Sequence, residues 1–187
     1  MGDLIVMGPP GVGKGTQAKA LAQQNGWVQL STGEVFRDHI RRQTDLGRRV
    51  KAFLDQGAYV PDDVTVRMVR ARLEDISPFT RVIFDGFPRT VAQAEALERL
   101  FGEMGRRVDG VLLLEAPRDE LLARLTGRAT AEGRSDDTPQ VIARRLDVYE
   151  DQTSPLISYY DDRGLVKRVS GVGRVEDVTR RLREAVA

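Results

Sequence analysis

A glycine-rich turn that ends in a lysine is the first chemically suggestive part of the chain. Residues 8–13 contain three glycines, Lys14 follows them, and Thr16 comes after one more glycine, Gly15. Backbone amides can turn toward an anion at glycines because no Cβ blocks the approach. Lys14 adds a mobile positive charge, and a helix that begins there adds free amides and the positive end of its dipole. The spacing predicts a site for the phosphates of a nucleoside triphosphate, with the Thr16 hydroxyl near a magnesium ion.

The elements on either side of this turn fit that chemistry. Residues 4–7 are continuously apolar, which is typical of a parallel strand buried on both faces. Residues 17–24 have the composition of a helix, and Gly26 is a good C-terminal stop. The usual phosphate-loop pattern has Ser or Thr directly after the lysine, so Gly15 departs from it.

Along the rest of the chain, four or five short apolar strands alternate with helices. This alternation predicts an α/β fold with a central parallel sheet covered on both faces. The apolar run 81–85 ends in Asp85, and an acid at the carboxyl end of a strand can hold magnesium or its waters. Residues 31–60 contain two short helices and are predicted to form an inserted subdomain. The polar segment 127–137 is predicted to be a loop, after a helix that ends near Thr126.

Smaller signals predict local structure. Ser31 and Glu34 have the spacing of a capping box. A helix that begins at Thr138 carries a stripe of side chains at three- and four-residue steps, which favours a core face. Pro155 lies inside that stripe and should kink or break the helix. The stripe consists of Ile142, Leu146, Tyr149, Thr153, Leu156, Ile157 and Tyr160.

Cations recur after the predicted strands and in the inserted segments, where open α/β sheets bind ligands. A magnesium-bound nucleoside triphosphate and a second phosphorylated ligand together carry about four net negative charges. Arginine suits such ligands because its planar fork matches phosphate oxygens. The set predicts phosphoryl transfer, and an acceptor phosphate needs no catalytic base because it is already ionised. The cations are Lys14, Arg37, Arg89, Arg124, Arg128, Arg134 and Arg145.

Composition excludes several classes of function. The chain has 187 residues and a formal net charge of +1, which favours one main domain without the bulk charge of a nucleic-acid binder. It has no cysteine, so thiolate zinc sites and disulfides are excluded. No apolar run has the length of a membrane span, and the N-terminus lacks the features of a signal peptide. We therefore expect a cytoplasmic monomer that binds neither nucleic acid nor membranes.

Together these motifs resemble the adenylate kinase family, in its short-lid form, over essentially the whole chain. The displaced hydroxyl at Thr16 is a feature of that family. The resemblance implies a P-loop three-layer sandwich, with residues 31–60 as the NMP-binding subdomain and 127–137 as a short lid. Residues 1–30, 61–126 and 138–187 would form the core. The motifs are residues 8–16, 30–34 with Arg37, 85–89 with Gln93, Arg124 with Arg128, 134–137, and 144–146.

The resemblance also implies a reaction, the reversible transfer of a phosphoryl group from ATP to AMP that gives two ADP. Mg2+ would enter with ATP, held mainly by phosphates and waters with Thr16 and Asp85 nearby, and no zinc is expected. ATP, AMP and ADP would be the partners. The implied ATP-binding residues are Gly11, Val12, Gly13, Lys14, Gly15, Thr16, Arg128 and Gly173. The implied AMP-binding residues are Thr32, Arg37, Ala58, Val60, Gly86, Arg89, Gln93, Arg134 and Arg145.

Among these, the resemblance gives Gln93 the adenine edge of AMP and Arg89 its phosphate. The residues implied to be catalytic are Lys14, Arg89, Arg124, Arg128, Arg134 and Arg145. Ala58 stands where many members have a basic residue, so acceptor binding there would rely on the backbone.

Three other functions are compatible with a phosphate loop. A UMP/CMP kinase resembles this family throughout, but that branch typically has alanine at the position of Thr32. An ATP-gated regulatory protein shares the loop but does not need the arginine set. A small-metabolite kinase needs a base near its hydroxyl acceptor, and Asp85 is the only obvious candidate.

Overall fold

A five-stranded parallel sheet organises the computed structural model, which describes residues 2–132 and 138–186. The strands follow the order β2-β3-β1-β4-β5, and every neighbouring pair is parallel. This confirms the predicted α/β class, because each apolar run is joined to the next by a helical crossover. The strands are β1 Asp3–Met7, β2 Val28–Ser31, β3 Val82–Asp85, β4 Val108–Glu115 and β5 Val166–Ser170.

Helices connect the strands and cover the sheet. A π-helical segment, Tyr149–Thr153, joins the seventh helix to the eighth. The helices are α1 Lys14–Asn25, α2 Thr32–Arg41, α3 Asp45–Asp55, α4 Asp62–Glu74, α5 Val91–Met104, α6 Arg118–Glu132, α7 Pro139–Val148, α8 Ser154–Asp161 and α9 Val175–Val186.

Alternate side chains of the strands pack into two separate hydrophobic cores, one on each face of the sheet. Ile5 and Met7 of β1 pack with α4, α5 and α8 on one face. Leu4 and Val6 pack with α1, α6, α7 and α9 on the other. Successive strand residues point to opposite faces, so an apolar strand supplies both cores at once. The result is the predicted three-layer arrangement.

Ser31 does not cap α2 in the predicted way. It occupies the N-cap position, but its side chain makes no capping hydrogen bond and instead donates to Asp85 Oδ2 at 2.8 Å. The capping box with Glu34 is therefore wrong. β2 and β3 pair in register at Ser31 and Asp85, which places the carboxylate within hydrogen-bond distance of the hydroxyl.

One helix boundary differs from the sequence prediction, and one predicted interruption takes a specific form. α6 continues to Glu132, six residues beyond Thr126, so residues 127–132 are helical rather than a loop. The α-helix is interrupted before Pro155, in line with the prediction: α7 ends at Val148, and the chain widens into the π turn Tyr149–Thr153, as helices often do where the hydrogen-bond ladder is disturbed. Within residues 2–132 and 138–186, no helix is long and apolar enough to cross a membrane.

Candidate active site

A cavity of about 580 Å3 opens at the carboxyl edge of the sheet, beyond β1 and β3. The chain leaves β1 toward β2 on one side, and later crosses from β3 to β4 on the other. The loops therefore diverge at this point and leave a crevice, as in other open α/β sheets. The phosphate loop, the segment 54–59 and the helices α6 and α7 contribute to its walls.

Lys14 begins α1, and its side chain folds back over the phosphate loop. Nζ donates to the carbonyl oxygens of Gly8 at 2.8 Å and Pro9 at 2.9 Å. Part of the side chain is exposed, yet protein atoms crowd around the ammonium, and this burial is the main cause that lowers the pKa of Lys14 to about 7. Asp85 acts to raise the pKa, and three cations act to lower it further. These cations are Arg89, Arg145 and Arg128.

Asp85 explains why residue 15 is a glycine. A Cβ at Gly15 would lie 3.2 Å from Asp85 Oδ2, which is tighter than an ordinary contact. A serine directly after the lysine would therefore press on the carboxylate. The hydroxyl comes one residue later, at Thr16, on the exposed first turn of α1. The departure from the usual phosphate-loop pattern makes room for Asp85 at the floor of the cavity.

Arg89 is fixed at four points. Its amide donates to Gln93 Oε1 at 2.8 Å, its carbonyl accepts from Thr153 Oγ1 at 2.9 Å, and its Nε donates to the Gly86 carbonyl at 2.8 Å. The guanidinium carbon lies 4.8 Å from the centre of the Tyr59 ring. Among the described residues, neither terminal nitrogen has a hydrogen-bond acceptor. Arg89 is thus held rigidly while its two outer donors stay available for an anion.

Arg124 braces the wall that carries the phosphate loop. It donates to the carbonyl oxygens of Val12 at 3.3 Å and Gly171 at 3.0 Å, and it pairs with Glu120 on its own helix. These contacts tie α6 to the phosphate loop and to the turn after β5. A catalytic role for Arg124 stays a prediction.

Comparison with known proteins identifies the family. The sequence model of the family described as Adenylate kinase matches residues 6–165. The chain belongs to the adenylate kinase family. It is 51% identical over 183 residues to an adenylate kinase of Thermus thermophilus, and the alignment covers 98% of this chain and 96% of the relative. It is 49% identical over 185 residues to one of Kocuria rhizophila, covering 98% and 97%, and 48% identical over 183 residues to one of Nocardioides sp., covering 98% and 96%.

The structure brings most of the residues implied by the family resemblance into one cavity. Asp85, predicted from the sequence alone, lies among them. The lining residues in the predicted set are Gly11, Val12, Gly13, Lys14, Gly15, Thr16, Arg37, Ala58, Asp85, Gly86, Arg89, Arg124, Arg128, Arg145 and Gly173. Arg134 lies outside the described residues, as does the part of the predicted lid from 133 to 137.

Three predicted residues, Thr32, Val60 and Gln93, are buried behind the lining of this adenylate kinase cavity. The Thr32 hydroxyl donates to the Gly86 carbonyl at 2.8 Å. The Gln93 amide donates to Asp62 at 2.7 Å and accepts from the Arg89 amide. In this conformation Gln93 supports Arg89 and exposes neither end of its amide to the cavity. Its assignment to the adenine edge stays a prediction and requires one of these bonds to be exchanged.

Sequence reasoning missed several side chains that line the cavity, above all Tyr59, Tyr149 and Thr153. Tyr149 and Thr153 lie in the helical stripe that was assigned to the core. Burial raises the pKa of Tyr149 to about 12, so its hydroxyl stays protonated at the cavity wall. The polar ends of these residues in an otherwise apolar stripe, directly before Pro155, were the available signal.

Proposed function

We propose that the protein reversibly transfers the terminal phosphoryl group of Mg-bound ATP to AMP and so forms two molecules of ADP. The observation that carries this proposal is a single cavity that joins the phosphate loop to a rigid arginine, Arg89, whose outer donors have no acceptor among the described residues. Lys14 and Arg89 are close enough for their repulsion to depress the pKa of Lys14. Two phosphorylated ligands, one at Lys14 and one at Arg89, would neutralise the positive charge that these residues share.

The proposed transfer needs little covalent chemistry from the protein. Lys14 and the amides of the phosphate loop would bind the β- and γ-phosphates, and Arg89 with Arg37 would orient the phosphate of AMP. A phosphate oxygen of AMP attacks the γ-phosphorus, and the bond to the β,γ-bridging oxygen breaks. The attacking oxygen is already ionised, so no base is needed. The cations stabilise charge on the transferring group, which is the main contribution in such reactions.

Oxygen donors at the cavity floor fit a magnesium ion that enters with ATP. Asp85 points a carboxylate toward Gly15, and the exposed Thr16 hydroxyl lies one residue further on. Hard oxygen ligands of this kind suit Mg2+, which usually keeps several waters and binds through one or two protein groups. When bound, the ion would neutralise charge on the phosphates. Ser31 would hold Asp85 in place through its 2.8 Å hydrogen bond.

Substrates other than AMP are less favoured. The adenylate kinase relatives do not support a UMP/CMP kinase. An ATP-gated regulatory protein would have no use for the free donors of Arg89. We expect a protein free in solution, in the cytoplasm and as a monomer, with nucleotides as its ligands.

The decisive experiment offers purified protein Mg-bound ATP with each nucleoside monophosphate in turn and measures diphosphate formation. We expect ADP from AMP, much less product from UMP or CMP, and ADP disproportionation to ATP and AMP in the reverse direction. Rapid turnover of UMP or CMP without AMP turnover would contradict the proposal. ATP binding without transfer to any monophosphate would favour the regulatory protein.

A further inference from the structure

We propose that Tyr59 is a positioning residue that aims the Arg89 guanidinium before the acceptor binds, an inference that rests on the proposed function. Tyr59 lies in the turn between α3 and α4, at the end of the predicted NMP-binding subdomain. It reaches Arg89 in two ways, with its ring and with its hydroxyl. No sequence motif marks it, and the family resemblance assigns it no role.

The ring contact holds the side chain of Arg89. The guanidinium carbon lies 4.8 Å from the ring centre, within the range of a cation–π interaction. The cations around Lys14 repel Arg89, and the ring adds an attraction to the Nε bond with the Gly86 carbonyl that keeps the guanidinium in the cavity. A carboxylate would do this but would also compete with a substrate phosphate for the same donors. An aromatic face attracts the cation and leaves its outer hydrogen-bond donors free.

The hydroxyl contact holds the backbone of Arg89. Thr153 Oγ1 lies 2.9 Å from the Arg89 carbonyl and 2.7 Å from the Tyr59 hydroxyl. A carbonyl can only accept, so the single hydroxyl proton of Thr153 goes to Arg89. Tyr59 must therefore donate to Thr153. The result is a chain of hydrogen bonds that runs from Tyr59 through Thr153 to the Arg89 backbone. The chain fixes the backbone from which the Arg89 side chain starts, and the Tyr59 ring holds the guanidinium at its far end.

The π-helical segment makes this chain possible. Thr153 closes the segment Tyr149–Thr153, and the amide of Ser154 bonds to the Tyr149 carbonyl across the wide turn. Thr153 is buried and lines the cavity together with Tyr59. Such π turns are frequent at functional sites. Here the turn presents a hydroxyl to residues 59 and 89, which belong to different parts of the fold.

The test separates the ring from the hydroxyl. Tyr59→Leu removes both contacts, and we expect kcat for ATP and AMP to fall about tenfold, with a smaller change in KM for AMP. Tyr59→Phe keeps the ring, and we expect a loss of about threefold. The matched control is Tyr159→Leu, because Tyr159 stacks on Arg163 at 3.8 Å outside the cavity. It should leave kcat unchanged.

A double-mutant cycle shows whether Tyr59 acts through Arg89. In an Arg89→Ala background, which has no cation for the ring to hold and no guanidinium to aim, Tyr59→Leu should change kcat by less than about twofold. An equal tenfold loss in both backgrounds would overturn the inference, since Tyr59 would then act elsewhere. So would a Tyr59→Leu variant with the wild-type kcat.

The outcomes distinguish this inference from the proposed function. If the wild-type protein forms no ADP from AMP, the proposed function fails, and this inference fails with it. If the wild type is active and the cycle is additive, the function stands and the positioning role is overturned. Thermal unfolding shows whether each variant is folded. If Tyr59→Leu does not fold, Tyr59→Phe and Thr153→Val, alone and combined, test the hydrogen-bonded chain to Arg89 instead. These two variants break one chain, so their effects should not add.

Discussion

The two edges of the sheet both carry clustered charges, but they use them in opposite ways. At the amino edge, Asp3 pairs with Arg106 at 2.8 Å, with side chains 2% and 6% exposed. Asp109 pairs there with Arg81 at 2.6 Å and also with Arg107. At the carboxyl edge, Lys14 and Arg89 bond to carbonyl oxygens and an aromatic ring.

The pKa shifts of Asp109 and Lys14 express the same difference, whereas burial raises the pKa of Asp3 despite the bonds that it accepts from Val82 and Arg106. Burial acts to raise the pKa of Asp109, but hydrogen bonds from Arg107, the Gly2 amide and Arg81 outweigh it and lower the pKa to about 2. Lys14 meets burial and like charges instead, and its pKa falls to about 7. Opposite charges are therefore matched within the fold at the amino edge. At the carboxyl edge, Asp85 offsets only part of the burial and repulsion that act on Lys14. An anionic ligand would add the missing attraction for Lys14, and the strain of holding this cation would then contribute to affinity.

The largest expected effect is on stability, at the amino edge. Arg106→Met leaves Asp3 buried without its ion pair, and we expect the free energy of unfolding to fall by about 3–5 kcal/mol. Transfer activity of the folded enzyme should not change. Urea denaturation measures the loss. The control is Arg70→Met, since Arg70 pairs with Glu103 in solvent and should cost less than about 1 kcal/mol. A fall of more than about tenfold in the transfer activity of folded Arg106→Met would contradict the separation of a stabilising amino edge from a catalytic carboxyl edge.

The next effect is on activity, at the carboxyl edge. Arg89→Ala should lower phosphoryl transfer at least about a hundredfold, because a preorganised charge-stabilising group contributes that much. We expect a change in unfolding free energy below about 1 kcal/mol, since the lost contacts are offset by weaker repulsion of Lys14. Arg163→Ala, which removes a stacked arginine outside the cavity, is the control. A drop of less than about threefold would remove Arg89 from the reaction.

A smaller effect concerns pH. Lys14 loses its proton near pH 7 in the free protein, and bound phosphates should raise its pKa. ATP binding should then take up a proton, so affinity should fall several-fold as the pH rises from about 7 to about 9. In the unfolded chain the pKa of Lys14 is near its ordinary value. The ligand-free protein should therefore gain stability from this group over the same range.

Calorimetry in buffers with different ionisation heats measures this proton uptake. Lys14→Arg stays protonated throughout, so the uptake should disappear in that variant. Lys19→Met removes an exposed lysine that lines the same cavity and should keep it. An uptake that persists in Lys14→Arg would assign it to another group.

The smallest effect lies in the core between the edges. The Tyr160 hydroxyl is buried without a hydrogen-bond partner among the described residues. Burial also raises the pKa of Tyr160. Tyr160→Phe should change the unfolding free energy by less than about 0.5 kcal/mol, or stabilise the protein, because it removes an unsatisfied polar group. Urea denaturation measures it against Arg106→Met, and a destabilisation above about 1 kcal/mol would reveal a missed partner.

The sequence predicted the sheet, the phosphate loop and the Asp85 strand end, but it failed where distant segments compete. The α2 amides were the predicted local partners of the Ser31 hydroxyl, but pairing of β2 with β3 brings Asp85 within hydrogen-bond distance, and the hydroxyl bonds there instead. The stripe through Tyr149 and Thr153 had the spacing of a core face. Ile142, Leu146, Leu156 and Tyr160 are buried as that spacing predicts. Tyr149 and Thr153, at the two ends of the π turn, also line the cavity.

Features that depend on neighbouring residues can be predicted directly from the chain. Glycines at fixed offsets set the backbone of the phosphate loop, and apolar runs of four or five residues set the buried strands. The way in which Arg89 is held depends on contacts between distant segments. Tyr59 and Thr153 are 94 residues apart, and Thr153 and Arg89 are 64 apart. Such contacts follow from strand order and helix packing, which no local spacing encodes.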